Sequence, residues 1–552
     1  MQRLLIISHD VVGRQMAGPG IRAWELACAL AATRAVTLIA PRPIDLDPPA
    51  NLRLAAYQWG NPASLAPYLE LGPNDAVFAN SFVLAAHPEL VACQARLIFD
   101  LYDPVALENL ALLQDRPMAE RLTVAAHDAE VLRLALQRGD HFVCATERQR
   151  DLYLGGLLAA GRVRPDLTDH DPLLRDLLDV VPFGVSAEPA QASGAPALRG
   201  ALDDLTAEHQ IILWTGGLWD WLDPQTLVRA MPLVRAALPQ ARLVFLAGSH
   251  PGLAIPMRTP AATEALAAEL GLLGKGVHFY RAWVPYARRA DFLLEAEVMV
   301  SLHREHLETV YAAVRSRVLD HFWVGCPSLL SAGDPASALV VAHGAGEAVP
   351  IGDPAAVAAA LIRMLSDPER HAAQAAQAVA LGNQLRWPLV AAPLTRMLAA
   401  PRVSLARPEP APATQPTEPQ PVHPELQQRV QERNEAIRQL EAQWQVSVSP
   451  SPPAPLPLRI MHQITNRLLG PFEARFARQH DFNTAVVQTN YRLASTLDAL
   501  IRLSAPSASE PTVEPQAALE RQQIELQTRL AELQQEVALI RAALQDLPQT
   551  PE

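Results

Sequence analysis

Residues 297–327 read EVMVSLHREHLETVYAAVRSRVLDHFWVGCP. The apolar run 298–302 predicts a short buried strand, the charged stretch after it a loop, and the segment up to Trp323 a helix that stops at Gly325 and Pro327. A strand-loop-helix unit of this kind aims its loop at the carboxyl edge of a parallel sheet, where open α/β sheets bind ligands. On the helix, Arg317 and Asp320 stand three apart and share a face, while Arg315 lies nearer the first turn. Arginines on a helix are usually solvated. At a helix N-terminus on a cleft edge, two guanidiniums followed by a carboxylate suit a nucleoside diphosphate: cations for the phosphates, an acceptor for ribose hydroxyls.

The same alternation extends to both sides. Upstream, strand 211–214 runs into Thr215, Gly216 and Gly217, and helix 224–237, strand 242–247, helix 261–270, strand 277–280 and helix 287–294 follow in turn. Downstream come turns at 331–335 and 344–354, an Ala-rich helix 355–365 and a last helix near 389–398. Strand-helix alternation predicts a parallel sheet covered by helices on both faces.

A second such pattern opens the chain. Strand 4–7, a loop containing Gly13, Gly18 and Gly20, helix 21–32 and strand 35–39 form a βαβ start, in which Gly18 and Gly20 either make a plain tight turn or let a ligand approach the backbone. Arg22, in the first helical turn, is within reach of a phosphate there. Strands at 75–79, 96–99 and 142–145 and a strand-Pro-x-Gly element at 180–184 complete this half. Asp100 and Asp103, after the second of these strands, either cap the next helix or face the cleft.

Composition bounds the partners. The chain has 552 residues, enough for about three domains, and 49% hydrophobic residues, ample for cores. A net charge of −12 gives no electrostatic case for nucleic acid. Lys275 is the sole lysine, so an anion site must use arginine or backbone amides. Cys28, Cys93, Cys144 and Cys326 show no paired spacing, which argues against a zinc site or a disulfide framework and fits a reducing cytoplasm. The apolar start, residues 4–7, is too short for a signal peptide, and no apolar run reaches the ~18 residues of a membrane span. Any membrane association is therefore expected to be peripheral, at the inner face.

The segment 308–327 resembles the donor-binding signature of retaining glycosyltransferases with the GT-B fold, the family 4 type. That signature has two acidic residues around a Gly-rich turn, the second opening a helix that ends in a small-Gly-x-Pro turn. Asp320 and the run Trp323-Val324-Gly325-Cys326-Pro327 match its second part. The usual spacing puts the first acidic residue at Ala312, so Glu308 is the nearest candidate, on a longer loop. Residues 18–27, GPGIRAWELA, also resemble the family's N-terminal glycine loop and helix.

The resemblance covers residues 1–398. It implies two Rossmann-like doubly wound domains, an acceptor-side domain over 1–185 and a nucleotide-sugar domain with a return helix over 186–398. It also implies transfer of a sugar, with retention, from a nucleoside-diphosphate sugar to a glycan or lipid-linked acceptor, with no metal and no cofactor. Gly18, Gly20, Gly216 and Gly217 would give backbone access to the donor, Trp283 and Val284 would lie at the nucleobase unless Trp283 is a core residue, Arg315 and Arg317 would meet the diphosphate, and Asp320 would hold the ribose. Asp103 and Glu308 are the expected contacts to the acceptor and to the sugar's hydroxyls. One departure is plain: the family places an arginine and a lysine after the first strand of the second domain, whereas here Gly217 stands in the arginine's place and no lysine follows. That departure favours an alternative, a non-catalytic glycosyltransferase-like scaffold.

Beyond residue 398 the pattern changes. A Pro-rich linker (399–425) precedes an amphipathic helix (426–446), a second Pro-rich break, a helical segment (458–503) and a heptad seam within 516–548, formed by Leu519, Leu526, Leu530, Leu533, Val537, Ile540, Leu544 and Leu547. The seam predicts a coiled coil for self-association or a protein partner, or else a helix laid on the protein's own surface.

Overall fold

The computed structural model describes residues 2–202, 205–248, 250, 252 and 257–400, and these carry two parallel sheets. The linker, amphipathic helix, helical segment and coiled coil expected beyond Ala400 lie outside the described residues. The first sheet contains β1 (Arg3–Ile7), β2 (Ala35–Ala40), β3 (Leu52–Ala56), β4 (Ala76–Asn80), β5 (Arg96–Asp100), β6 (His141–Cys144) and β7 (Leu178–Val180), in the order β3-β2-β1-β4-β5-β6-β7. The second contains β8 (Gln210–Trp214), β9 (Ala241–Leu246), β10 (Val277–Tyr280), β11 (Val298–Ser301), β12 (Ser328–Ser331) and β13 (Gly346–Val349), in the order β10-β9-β8-β11-β12-β13.

Every pairing between these strands is parallel. Their composition explains this. Leu4 to Ile7 and Val298 to Val300 are buried without alternation, as strands covered by helices on both faces must be. The strand order reverses between β1 and β4 and again between β8 and β11, and each reversal opens a crevice at the carboxyl ends of the strands.

Four helices border those crevices: α1 (Gly18–Ala31), α2 (Val105–Leu112), α3 (Leu307–Val310) and α4 (Ser316–Val324). Gly325, in the left-handed region at φ 70°, ends α4, and the Cys326 N–H donates to the His321 carbonyl (2.9 Å). A β-carbon at Gly325 would also meet Val379 Cγ2 at 2.6 Å, so the Gly-then-Pro stop is enforced by packing as well as by backbone angle. The helix begins one residue after Arg315, which is its N-cap with extended backbone. Leu307–Val310, expected as loop, is helical because His306 and Thr309 form a capping box.

The two halves share an apolar cluster. It runs from Leu26 and Leu30 of α1 through Val318 and Phe322 of α4 to Trp387 and Leu394. The chain crosses between the halves near Val185 and returns at Leu385–Trp387, where the Val185 N–H donates to the Leu385 carbonyl (2.8 Å) and the Trp387 N–H to the Val185 carbonyl (3.1 Å). Beyond the return, helix Ala392–Ala399 lies on the first half, its end held by Arg96, whose guanidinium donates to the carbonyls of Met397 (2.7 Å) and Ala400 (2.9 Å). Several elements escape the sequence reading, among them β3, strands β12 and β13, the helices Pro335–His343 and Pro368–Gln384, and the helix Met118–Arg138, which buries only Asp128, Val131, Ala135 and Leu136 and so shows little amphipathic signal. Among the described residues no helix is long and apolar enough to cross a membrane.

Candidate active site

β8 delivers Thr215, Gly216 and Gly217 to the crevice beside β11, and the first turn of α4 faces them. Gly216 adopts φ +76°, and a β-carbon there would stand 3.4 Å from the Arg317 guanidinium. Arg317 is only 8% exposed and lies over the Trp214 ring, 5.9 Å from its centroid. It pairs with no carboxylate among the described residues, and its Nη1 has no hydrogen-bond partner. Burial, aided by the neighbouring Arg315 charge, lowers its pKa to about 9, so it remains a cation at neutral pH. The same burial and the Arg317 charge push the His321 imidazole, one turn on, down to about 3, and His321 is neutral. The Glu308 charge acts on Arg317 without forming an ion pair, and a desolvated cation at a helix N-terminus beside two glycines is chemically suited to an anion.

Arg315 behaves differently. Its guanidinium grips both oxygens of Glu308 (2.6 and 2.8 Å) and approaches Asp334 at 3.5 Å. Glu308 is buried on α3, and the bend between α3 and α4 brings the pair together. The expectation that Arg315 and Arg317 together offer free charge to a diphosphate is therefore corrected: the Arg315 charge is already balanced by two acids, and Arg317 is the unbalanced one.

Arg317 and Asp320 also part company. Asp320 faces Arg289 (3.4 Å), which is sandwiched between the rings of Tyr286 (3.8 Å) and Trp323 (4.0 Å). Tyr286 in turn donates to Glu25 of α1 (2.6 Å). Burial raises the Asp320 pKa, opposed by Arg289, and its side chain keeps 30% exposure, enough to accept from a ligand hydroxyl.

Around β9 and β10, Gly248 lies under Trp283, leaving no room for a β-carbon (2.8 Å to the Trp283 backbone). Trp283 is partly exposed at this rim, and Val284, also partly exposed, packs against the apolar cluster of Phe292 and Leu293. His250 sits edge-on to both Trp283 and Trp219 and pairs with Asp10 of the first half at 3.2 Å. Trp219 stacks on Trp221 at 5.1 Å, and its Nε1 lies 3.2 Å from where a β-carbon of Gly217 would be, so the indole fills space that a longer side chain at 217 would need.

On the first half, Gly18 lies opposite Ser316 of α4 (3.5 Å from the position of its missing β-carbon), at the crevice. Gly20 instead packs on its own loop, since a β-carbon there would be 2.1 Å from the Val11 carbonyl oxygen. Arg22 is withdrawn from any phosphate. It is fully buried, forms a two-pronged pair with Asp100 (2.6 and 3.0 Å), and donates to the carbonyls of Val181 and Pro182. The expectation that Arg22 reaches a ligand is corrected by this pair, and of the two readings for Asp100, helix cap or cleft residue, the structure shows neither, its carboxylate being taken up by Arg22.

Asp103 lies among the strand-end residues His9, Asp10 and Asp100, whose charges act on it, and the structure adds Glu108 of α2 beside it. The sequence signal for Glu108 was an acidic residue in the first turn of the helix that follows the strand end. Burial first, then the Asp103 charge, hold the Glu108 carboxyl well above its ordinary value, with Glu308 adding to the effect and Arg315 opposing it. The folded state therefore holds this proton more tightly than the unfolded chain. The associated stability is fully present below the ordinary carboxylate range, near ~4.3, and is lost as pH rises through the folded-state value. Glu108→Gln is expected to raise the melting temperature at pH 8 and to leave it nearly unchanged at pH 4. A melt series in which the variant is less stable at both pH values would show the carboxyl to be worth more than its desolvation.

Among the described residues no group of three or more His, Cys, Asp or Glu side chains could hold a metal ion.

No family model matches the sequence. Among curated proteins, an F420-dependent glucose-6-phosphate dehydrogenase of Beutenbergia cavernae is 35% identical over 130 residues, 23% of this chain, and the chain spans 36% of that protein's length. Among solved structures, a sucrose-phosphate synthase from Thermosynechococcus elongatus superposes with a TM-score of 0.51 at 18% identity, over 72% of this chain and 98% of its own. A UDP-forming α,α-trehalose-phosphate synthase from Burkholderia xenovorans gives 0.51 at 14%, over 73% and 100%. HepE of Anabaena, in complex with UDP and glucose, gives 0.50 at 14%, over 73% and 100%. The likeness is one of fold.

Proposed function

We propose that this chain, which has the GT-B fold, is a glycosyltransferase: it transfers a sugar, with retention at the anomeric carbon, from a nucleoside-diphosphate sugar to a glycan or lipid-linked acceptor. The observation that carries this reading is the uncompensated Arg317 cation beside Gly216 at the β8/β11 reversal. In the reaction the bond from the anomeric carbon to the distal phosphate oxygen breaks, its electron pair stays on the phosphate, the acceptor oxygen bonds the carbon, and the acceptor's proton passes to the departing phosphate oxygen. A fixed cation where that charge grows lowers the barrier. Asp320 is assigned to the ribose, Trp283 and Val284 to the base, Glu308 to sugar hydroxyls and Asp103 to the acceptor. The nucleotide sugar is a co-substrate, and we assign no cofactor. HepE binds UDP, so uridine diphosphate is the first nucleotide to test.

The test is calorimetric titration with UDP, GDP, ADP and dTDP, followed by proton NMR of the sugar released from the matching nucleotide sugar. The expected result is binding of one nucleotide at about micromolar affinity and a first-formed sugar with the donor's anomeric configuration. The opposite configuration would overturn retention. The scaffold reading keeps a specific observation in its favour, because Gly217 carries no cation and the Arg315 charge is spent on Glu308. Nucleotide binding without turnover, or no binding at all, would establish it over transfer.

A further inference from the structure

The carboxyl edge of the first sheet bears an aromatic rim that the donor site does not use. Trp59, after β3, stacks on Phe82, after β4, with ring centroids 5.8 Å apart and planes 25° apart. Phe82 meets His9, after β1, edge-on at 6.2 Å. Trp59 is 38% exposed, yet it is not a loose surface residue. The Gly60 N–H donates to His87 Nε2 (3.0 Å), the buried His87 gives its Nδ1 proton to Glu89 (2.8 Å), and the His87 ring abuts both Trp59 and Tyr57. Phe82 is held likewise, its N–H donating to Asn80 Oδ1 (2.8 Å). Asn80 is nine-tenths buried at the β1/β4 reversal, and its Nδ2 has no hydrogen-bond partner.

We propose that this rim is a saccharide subsite, where a pyranose ring of the acceptor stacks on Trp59 and Phe82 and turns its hydroxyls toward His9 and Asp103. The chemistry favours a sugar over other occupants. A pyranose has an apolar C–H face and an edge of hydroxyls, and it needs a flat aromatic surface bordered by hydrogen-bonding groups. Asp103 draws on the nearby His9 and leans on Glu108, so the rim ends in carboxyls. Carboxyls, charged or protonated, hydrogen-bond to sugar hydroxyls, whereas a phosphate or an anionic lipid headgroup calls for cationic donors. The rim also leads to the right place: α2, which carries Glu108, packs against α3, which carries Glu308, so a sugar laid along it extends toward the donor side. The assignment of this edge to the acceptor rests on the transfer reading above, but the sugar-binding rim itself does not.

The test uses the full chain and four disaccharides (maltose, cellobiose, lactose and N,N′-diacetylchitobiose), followed by saturation-transfer NMR and calorimetry. The proteins compared are the parent, Trp59→Ala and Trp59→Phe. At least one disaccharide should bind the parent, Trp59→Ala should weaken it about tenfold, and Trp59→Phe, which keeps a ring, should stay within about threefold. Circular dichroism melts establish that both variants fold, and UDP affinity should be unchanged in both. No binding of any disaccharide, or equal binding by Trp59→Ala, overturns the proposal. So does Trp59-dependent binding of dodecylphosphocholine micelles without disaccharide binding, which would make the rim a lipid surface. If disaccharide binding depends on Trp59 while no nucleotide binds, the transfer reading falls and the saccharide subsite stands.

Discussion

Arg317→Met is expected to reduce nucleoside-diphosphate affinity on the order of 100-fold while raising the melting temperature of the ligand-free protein. Both effects follow from one arrangement. The guanidinium is buried beside Arg315 with no acid partner, and its pKa is lowered to about 9, so the empty protein bears a desolvation cost that methionine removes. A bound diphosphate supplies the missing charge. Charge-assisted hydrogen bonds contribute about 1.5–3 kcal/mol each, so losing a pair of them at the lower end of that range, about 3 kcal/mol, gives a change of this size. Arg315→Met should show the opposite pattern. Glu308 would be left as a buried carboxylate without its clamp, costing about 3–5 kcal/mol of stability. Calorimetry and thermal melts on the two variants, side by side, check this. If Arg317→Met binds UDP like the parent, or if both variants lose stability equally, the anion site is misassigned.

Arg22→Met is expected to destabilise the protein by about 3–5 kcal/mol without a specific effect on nucleotide affinity. Its guanidinium joins three elements: α1, which carries it, the end of β5 through Asp100, and the segment after β7 through the carbonyls of Val181 and Pro182. The rings of Tyr102 (4.8 Å) and Phe183 (5.4 Å) border it. Removing it strands a carboxylate that is 4% exposed together with two carbonyls. Asp100→Asn alone should cost a similar amount, and Arg22→Met with Asp100→Leu should recover part of the loss, since the orphaned charge is gone. Urea unfolding of the three proteins measures this. Single-variant losses under ~1 kcal/mol would mean that water reaches the pair.

The contrast between Arg22 and Arg317 shows where sequence reading stops. The strands, the βα alternation and the Gly325 stop were legible because each is a local signal: unbroken apolar runs, periodicity, a left-handed position followed by proline. The charge state of an arginine is not local. Arg22 looks like a phosphate ligand until Asp100, 78 positions away, is seen to fill its fork. Arg315 and Arg317 look alike in the sequence, yet the break before α4 turns one onto Glu308 and leaves the other alone. Glu108 and Trp59 were missed for the same reason, because each acquires meaning only from neighbours on other strand ends. Asp320 could be placed on its helix, but its partner Arg289 could not.

The side-by-side crossings at Val185 and Arg386 have a mechanical consequence. Two chain segments joined by backbone hydrogen bonds of 2.8 and 3.1 Å act as a single short strap rather than two independent tethers. Any swing of one sheet against the other would have that strap as its pivot, with the angles absorbed at the residues on either side of it. Gly184, pressed against Trp387 with 2.6 Å left for a β-carbon, sits on that line. A bulkier residue there would act as a wedge in the joint, changing how the halves meet without touching any group at the crevice.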